Sequence, residues 1–251
     1  MGFGGTDAPR VPTESIELYG FKRAADDIRE LARQLGVSRV VLGGHDWGGM
    51  IVYRTAMWHP ELVTHLFVAC TPYGAPSKEF VSTEELVKTR VPNFAYQLQL
   101  AGPEVEENVK TPEQIRQFLN ALFGGKTPDG GVAFTAEEGL LLDRLPSIGK
   151  TRLLTDEESD YYVKEYSRNG LHGTQDRLNK STIDIPVLFI QATHDVALPT
   201  WMAANMPNYL SQLTIKQVEA SHWVHWEQPD KVNDLLTEWF EGVVFGGKST
   251  L

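Results

Sequence analysis

Residues 39–49 read RVVLGGHDWGG, and the fold turns on how they are read. Val40, Val41 and Leu42 form a short apolar run of the kind that makes a buried strand. After the glycines, MIVYRTAMWHP (50–60) reads as a helix that ends before Pro60. A strand that passes into a helix through Gly-x-Asp-x-Gly sets Asp46 at the centre of a sharp, strained turn. Gly44 and Gly48, two places either side, are expected to remove Cβ atoms that would crowd it. Such a turn pushes its central side chain out at the carboxyl end of the strand. There the N-terminus of the next helix favours negative charge. A carboxylate in that place needs no base to activate it, because the unperturbed group is ionised at neutral pH. It attacks carbon and forms an ester, which water must then cleave with the help of a base. Serine would give acyl chemistry there, whereas aspartate suits displacement at an alkyl carbon. The plainer alternative is that Asp46 is a helix N-cap after a glycine loop.

Working outward, FKRAADDIRELARQL (21–35) carries apolar side chains at helical spacing, and Gly36 follows as a stop. HLFVAC (65–70) reads as a second buried strand. Strand, helix, strand is the rhythm of a parallel sheet with helices on its faces. Between about 75 and 180 the character changes to polar, helix-like segments broken by proline, glycine and the loop GGKTPDGG (124–131), with no strand of comparable apolarity. The rhythm resumes with the strand IPVLFIQA (185–192), a helix around 200–209, the strand TIKQVE (214–219) and an amphipathic helix near 229–241. The expected layout is an α/β core of residues 1–74 and 183–251, interrupted by a helical cap of residues 75–182. Its four core strands lie near 40–42, 65–70, 186–191 and 214–219.

Bulk properties narrow the class. A chain of 251 residues suits one domain, or a core with an insertion. A net charge of −10 argues against a nucleic-acid partner, since nothing basic is gathered to neutralise phosphates. Cys70 is the only cysteine, so no intrachain disulfide is available, and its apolar neighbours mark it as a packed thiol. No apolar run approaches the roughly 18 residues of a membrane span, and the opening MGFGGTDAPR does not read as a signal peptide. The expected location is cytoplasmic.

Two further stretches join the elbow. In FIQATHDVALP (189–199), Asp195 lies just past a buried strand, where an acid that orients a histidine would stand. In VEASHWVHWEQP (218–229), His222 lies just past the last strand. The order nucleophile, acid, histidine is that of α/β-hydrolases. Singly, Asp195 could be a turn residue and His222 a loop histidine. All three following their own strands points to a catalytic set. His225 is the rival base. His45, His194 and His225 are read as packing residues or as supports for the acids.

With these residues in hand, the chain resembles the soluble-type epoxide hydrolases of the α/β-hydrolase superfamily, fungal members among them. GFGGTDAP (2–9), GGHDWGG (43–49), PNFAYQLQLAGPEVE (92–106), EYSRNGLHG (165–173) and SHWVHWEQP (221–229) carry the resemblance over almost the whole chain. It implies an α/β-hydrolase fold with a helical cap, no metal and no cofactor, and an epoxide plus water as substrates. It also implies roles. Asp46 attacks an epoxide carbon, and Tyr96 hangs from the cap and donates to the epoxide oxygen. His222, aligned by Asp195, activates the water that cleaves the ester. The backbone N–H of Trp47 steadies the oxyanion, and Trp47, Phe94 and Gln97 line the substrate site. Read without the family, Tyr96 is a core aromatic, and Trp47 is a halide donor or a pocket wall.

The resemblance is incomplete in two places. Family members carry strands and an HGxP motif ahead of the GxGGTDAP segment, and no HGxP occurs here. An N-terminally truncated sheet with an open edge at strand 40–42, and apolar surface beside it, is therefore expected. Members also carry a second cap tyrosine about where Leu178 stands. Tyr161, Tyr162 and Tyr166 are the nearest substitutes, and spacing does not choose among them. Two alternatives stay open: a haloalkane dehalogenase-like aspartate hydrolase, and a diverged or inactive relative, for instance one with altered chemistry in a biosynthetic pathway. The sequence does not specify an oligomeric state.

Overall fold

The run Val187–Ala192 shows how the sheet is built. Val187 and Phe189 belong to one apolar cluster, with Tyr53, Leu66 and Met206. Leu188, Ile190 and Ala192 belong to another, with Val218, Val224, Leu235 and Trp239. All six residues of this strand are buried and five are apolar, as a strand covered on both faces requires; the exception, Gln191, donates to the Thr200 carbonyl at 3.1 Å and accepts from Gln217 at 2.9 Å. The structure is a computed structural model that describes residues 5–6, 18–76, 81–169 and 182–246. It contains two compact units, one of residues 20–79 and 175–251, the other of residues 1–19 and 80–174.

In the first unit, α1 (Phe21–Gln34) leads to β1 (Val40–His45), α2 (Trp47–Trp58) and β2 (Val63–Ala69). α1 buries Ala25 and Ala32, whose small side chains let it lie close to α2. It stops as expected at Gly36, which takes a φ of +71° while the Val37 N–H closes back on the Ala32 carbonyl at 3.0 Å. After the other unit the chain returns as β5 (Val187–Ala192), β6 (Leu213–Val218), α8 (Val224–Glu227) and α9 (Pro229–Trp239).

The four strands run parallel in the order β1-β2-β5-β6. β2 and β5 are neighbours although residues 70–186 intervene, so the chain leaves the sheet at one strand's carboxyl end and re-enters beside it. The register pairs His45 with Ala69 and Ala69 with Ile190. It also pairs Ala192 with Val218. The loops after all four strands therefore gather along one edge, where open α/β sheets hold their ligands. α1 and α2 cover one face; α8 and α9 cover the other. Among the described residues β1 has one strand neighbour. Its Val40, Val41 and Leu42 are only half-buried, and Leu31, Leu35 and Val37 stand exposed in the same unit.

Two expected features differ. The helix expected at 200–209 is a pair of 3₁₀ turns, Thr200–Ala203 and Met206–Asn208. Pro207, lacking an N–H, interrupts any α-helical ladder there. The last helix passes at Phe240–Val244 into a single π-helical turn.

The second unit holds α3 (Thr83–Thr89), α4 (Ala95–Ala101), α5 (Pro103–Asn108), α6 (Pro112–Leu122), the two-residue strands β3 (Phe134–Thr135) and β4 (Gly139–Leu140), and α7 (Asp156–Asn169). α6 starts with a full capping box: the Thr111 side chain accepts from the Gln114 N–H, and Gln114 reaches back to the Thr111 N–H. Its Ile115, Phe118 and Leu119 are buried. No helix among the described residues is long and apolar enough to cross a membrane.

Candidate active site

Asp46 sits between β1 and α2 with φ 53° and ψ −125°, a left-handed conformation that costs a non-glycine residue energy. Its side chain makes no capping hydrogen bond to the helix. Asp46 thus occupies the N-cap position of α2 without capping it by its side chain; the carboxylate, about one-third exposed, lies 3.5 Å from Nε2 of His222 instead. Three groups enforce the turn. A Cβ on Gly44 would collide with the backbone of Gly48, and a Cβ on Gly49 would stand 2.7 Å from the Thr71 side chain. Thr71, just past β2, donates its hydroxyl to the Asp46 carbonyl at 2.7 Å. Gly48 behaves differently from expectation, since a Cβ there meets nothing within 4 Å. The spatial need falls on Gly44 and Gly49, because the helix turns residue 48 outward.

Asp195 and His222 arrive on the loops after β5 and β6. The His194 N–H ties these loops together through the Ala220 carbonyl at 3.0 Å. The Asp195 side chain is fully buried. Its Oδ1 accepts from the N–H groups of Ala197 and Leu198, each at 2.9 Å, and its Oδ2 lies 2.8 Å from Nδ1 of His222. Burial works against its ionisation, but the His222 hydrogen bond and charge, with the two N–H groups, outweigh it and hold the carboxyl below its usual range. His222 shows the reciprocal effect. Burial disfavours its charged form, yet the Asp195 bond and the charge of Asp46 raise its pKa above the ordinary value. With Nδ1 on Asp195, Nε2 points at the Asp46 carboxylate, 3.5 Å from Oδ1. Asp46, Asp195 and His222 thus form one connected line.

The rival base is in a poorer position. His225 is pushed down to about 4 by burial and by His45 and His222. Its Nδ1 is buried without a hydrogen-bond partner among the described residues, and its ring packs edge-on to His45 at 4.5 Å. His45, Cys70 and His222 have ligand atoms within 4.8 Å of one another. These groups already engage each other: Nε2 of His45 and Sγ of Cys70 both reach the His222 carbonyl. Sequence alone assigns Thr71 no role and marks Cys70 only as a packed thiol. The only signal was that they follow a strand adjacent to the elbow. Trp47, at the first position of α2, is half-exposed and stacks on Phe21 at 6.1 Å.

Tyr96, Phe94 and Gln97 lie in the second unit. Tyr96, on α4, is buried; Phe94 stands edge-on to it at 6.5 Å and Phe134 at 5.6 Å. Its hydroxyl accepts from Gln97 Nε2 at 3.4 Å, and its N–H donates to the Ala136 carbonyl. Gln99, one turn on, binds the β4 backbone with both ends of its amide, accepting from the Leu140 N–H at 2.6 Å and donating to its carbonyl at 2.9 Å. Gly139 makes room for it: with φ +79°, any Cβ there would strike the Gln99 amide. Of the alternative tyrosines on α7, Tyr161 is exposed and Tyr162 packs on Tyr166 and Phe123. Leu178, the GLHG segment at 170–173 and most of GFGGTDAP lie outside the described residues.

A doubly covered parallel sheet with a strained nucleophile turn and its acid–histidine pair defines a class of protein. The sequence profile of the alpha/beta hydrolase fold matches residues 1–229, and the chain belongs to that family. Within it, an epoxide hydrolase of Neurospora crassa, srdG, is 36% identical over 96% of this chain and 76% of its own length. The rat bifunctional epoxide hydrolase 2 is 28% identical over 96% of the chain, which spans 45% of that longer protein. The crystal structure of epoxide hydrolase A from Mycobacterium thermoresistibile superimposes with a TM-score of 0.74 at 24% identity, covering 96% of this chain and 80% of that one.

Proposed function

We propose that this protein is an epoxide hydrolase that opens an epoxide to a vicinal diol through an ester on Asp46. Asp46 attacks one ring carbon, the C–O bond breaks, and Tyr96 acts as the general acid that protonates the departing oxygen. His222, aligned by Asp195, takes a proton from water, which attacks the ester carbonyl. Collapse of the tetrahedral ester releases Asp46 as its carboxylate and the diol, and the proton held by His222 passes through solvent to restore Tyr96. The N–H of Trp47, in the first turn of α2 and so without a helical partner, stabilises the tetrahedral oxyanion. Phe94 and Gln97, with the Trp47 ring, contact the substrate. In this reading residues 75–182 are the cap, residues 1–74 and 183–251 the hydrolase core, and the place of action is the cytoplasm.

The observation that carries the reading is His222 held between two carboxylates, Nδ1 at 2.8 Å from Asp195 and Nε2 at 3.5 Å from Asp46. Serine-type acyl chemistry needs a hydroxyl in the place that Asp46 fills. The relatives named epoxide hydrolase support the choice of substrate. A panel of aryl and alkyl epoxides, assayed for diol beside haloalkanes assayed for halide, tests it. Diol without halide is expected. Halide without diol would transfer the function to dehalogenation, and neither product from the folded protein would defeat it.

A further inference from the structure

Two side chains from different strands meet on one main-chain oxygen. Nε2 of His45, the last residue of β1, lies 2.8 Å from the carbonyl oxygen of His222. Sγ of Cys70, the residue after β2, lies 3.2 Å from the same oxygen. A carbonyl only accepts, so both groups must donate. Both are suited to it. Burial, reinforced by the neighbouring His222, holds His45 below its usual pKa, so it is neutral with its proton on Nε2. Burial pushes the Cys70 thiol well up, so it keeps its proton. Cys70 also holds a φ of +66°, a second left-handed non-glycine residue beside Asp46 itself. Strain of this kind persists where the surroundings impose a geometry.

We propose that His45 and Cys70 are positioning residues that clamp the backbone of the base histidine, fixing its imidazole for ester hydrolysis rather than for ester formation. The clamp deepens the epoxide hydrolase reading and rests on it for the chemistry. His222 sits on the loop after β6, and Asp195 anchors its ring at Nδ1 alone. Nε2 faces the Asp46 carboxylate at 3.5 Å, but esterification removes that charge, and Asp195 is then the ring's remaining charged anchor. A second anchor on the residue's own carbonyl, made by groups rooted in β1 and β2, ties the base to the strand that carries the nucleophile. The elbow needs no such tie, because Thr71 and the glycines already hold it. The charged and titratable groups facing His222 are Asp195, Asp46, Glu227, His45 and His225, so loss of the clamp alters how strongly Asp195 and Asp46 support its proton.

The test uses the full chain with styrene oxide and two pairs of variants. His45→Phe keeps a ring and loses the donor, while His45→Gln returns a donor near the Nε2 position. Cys70→Ala loses the donor and Cys70→Ser keeps one. With enzyme in excess, rapid quench separates ester formation from ester hydrolysis. His45→Phe is expected to slow hydrolysis by roughly 10- to 100-fold, the cost of a small misplacement of a reacting group, with formation within about twofold. Cys70→Ala is expected to slow it less, and His45→Gln and Cys70→Ser to recover most of the loss. Equal loss in both steps, or no loss in hydrolysis, would overturn the clamp. A second readout needs no substrate: the His222 imidazole titrated by NMR. Its midpoint is expected to fall in His45→Phe and to return in His45→Gln; an unmoved midpoint overturns the clamp. Failure of the unmodified protein to form any ester would sink the epoxide reading, and the titration alone would then decide the clamp.

Discussion

In the unit of residues 20–79 and 175–251, each member of the candidate triad follows a strand, and the ladder of a four-stranded parallel sheet fixes where that strand ends. In the unit of residues 80–174, the candidate acid Tyr96 rides on a helix of seven residues. A glutamine amide and a glycine at positive φ hold that helix to a two-residue hairpin. The contrast teaches that the two units fix chemistry by different means. A sheet packed between two helical layers offers few alternative registers, because a slip would misfit side-chain volumes in both closely packed cores. The short helix α4 is held to the hairpin by the Gln99 bridge and one backbone bond, from the Tyr96 N–H to the Ala136 carbonyl, with no sheet ladder to fix it. Changes to the triad residues in the first unit should therefore have the largest effects on chemistry, and changes in the second should be milder.

Asp46→Ala marks the extreme. It removes the attacking group, so turnover of styrene oxide should fall by at least about 10⁴-fold while the fold survives. Residual diol formation at more than a few per cent of the original rate would show that the elbow is not the nucleophile. Asp195→Asn comes next, with ester hydrolysis expected to drop by about 10³-fold. Its pH profile sharpens the point. Water activation requires neutral His222, so ester hydrolysis in the unmodified enzyme should fail as pH drops through the midpoint of its imidazole, which Asp195 still supports in the ester although Asp46 no longer carries a charge. Removing the Asp195 charge and its hydrogen bond should move that acid limb to lower pH. An unmoved limb would show that the pair does not set the base.

In the second unit, Tyr96→Phe should slow ester formation by about 10²-fold, the lower end of the usual worth of a general acid, and leave ester hydrolysis near its original rate. Equal slowing of both steps would make Tyr96 a packing residue. The smallest effect is expected from Gln99→Ala, which strands the N–H and carbonyl of the buried Leu140. A stability loss of about 1–3 kcal/mol by thermal or urea unfolding, with only a few-fold loss of activity, would place this bridge in support of α4. No loss of stability would mean the hairpin holds without it.

The same contrast governs how much was legible in the sequence. The runs near 40–42, 65–70, 186–191 and 214–219 became β1, β2, β5 and β6; the signal is clearest in β5, buried at all six positions, and weakest in β6, where Lys216 and Gln217 interrupt the apolar residues. Asp46 was legible because so few backbones tolerate its conformation. Gly48 was misjudged, since spacing alone cannot tell which flanking glycine faces Thr71. The stretch 200–209 read as a helix because one proline in an apolar stretch leaves the helical period intact while breaking the ladder. His45 and Cys70 were read as packing, and their shared acceptor is a main-chain oxygen more than 150 residues away in sequence. Tyr96 could be singled out only through family resemblance. Its surroundings are assembled from isolated polar contacts with no period to read.

The central claim is that Asp46 is alkylated and His222 releases it. Treating His222→Ala with styrene oxide, digesting the protein and weighing the peptide that carries Asp46 tests this most directly. The account predicts that this peptide gains the mass of one substrate molecule, and that Asp46→Ala in the same background abolishes the gain. An unmodified Asp46 peptide, or an adduct that persists without Asp46, would contradict it.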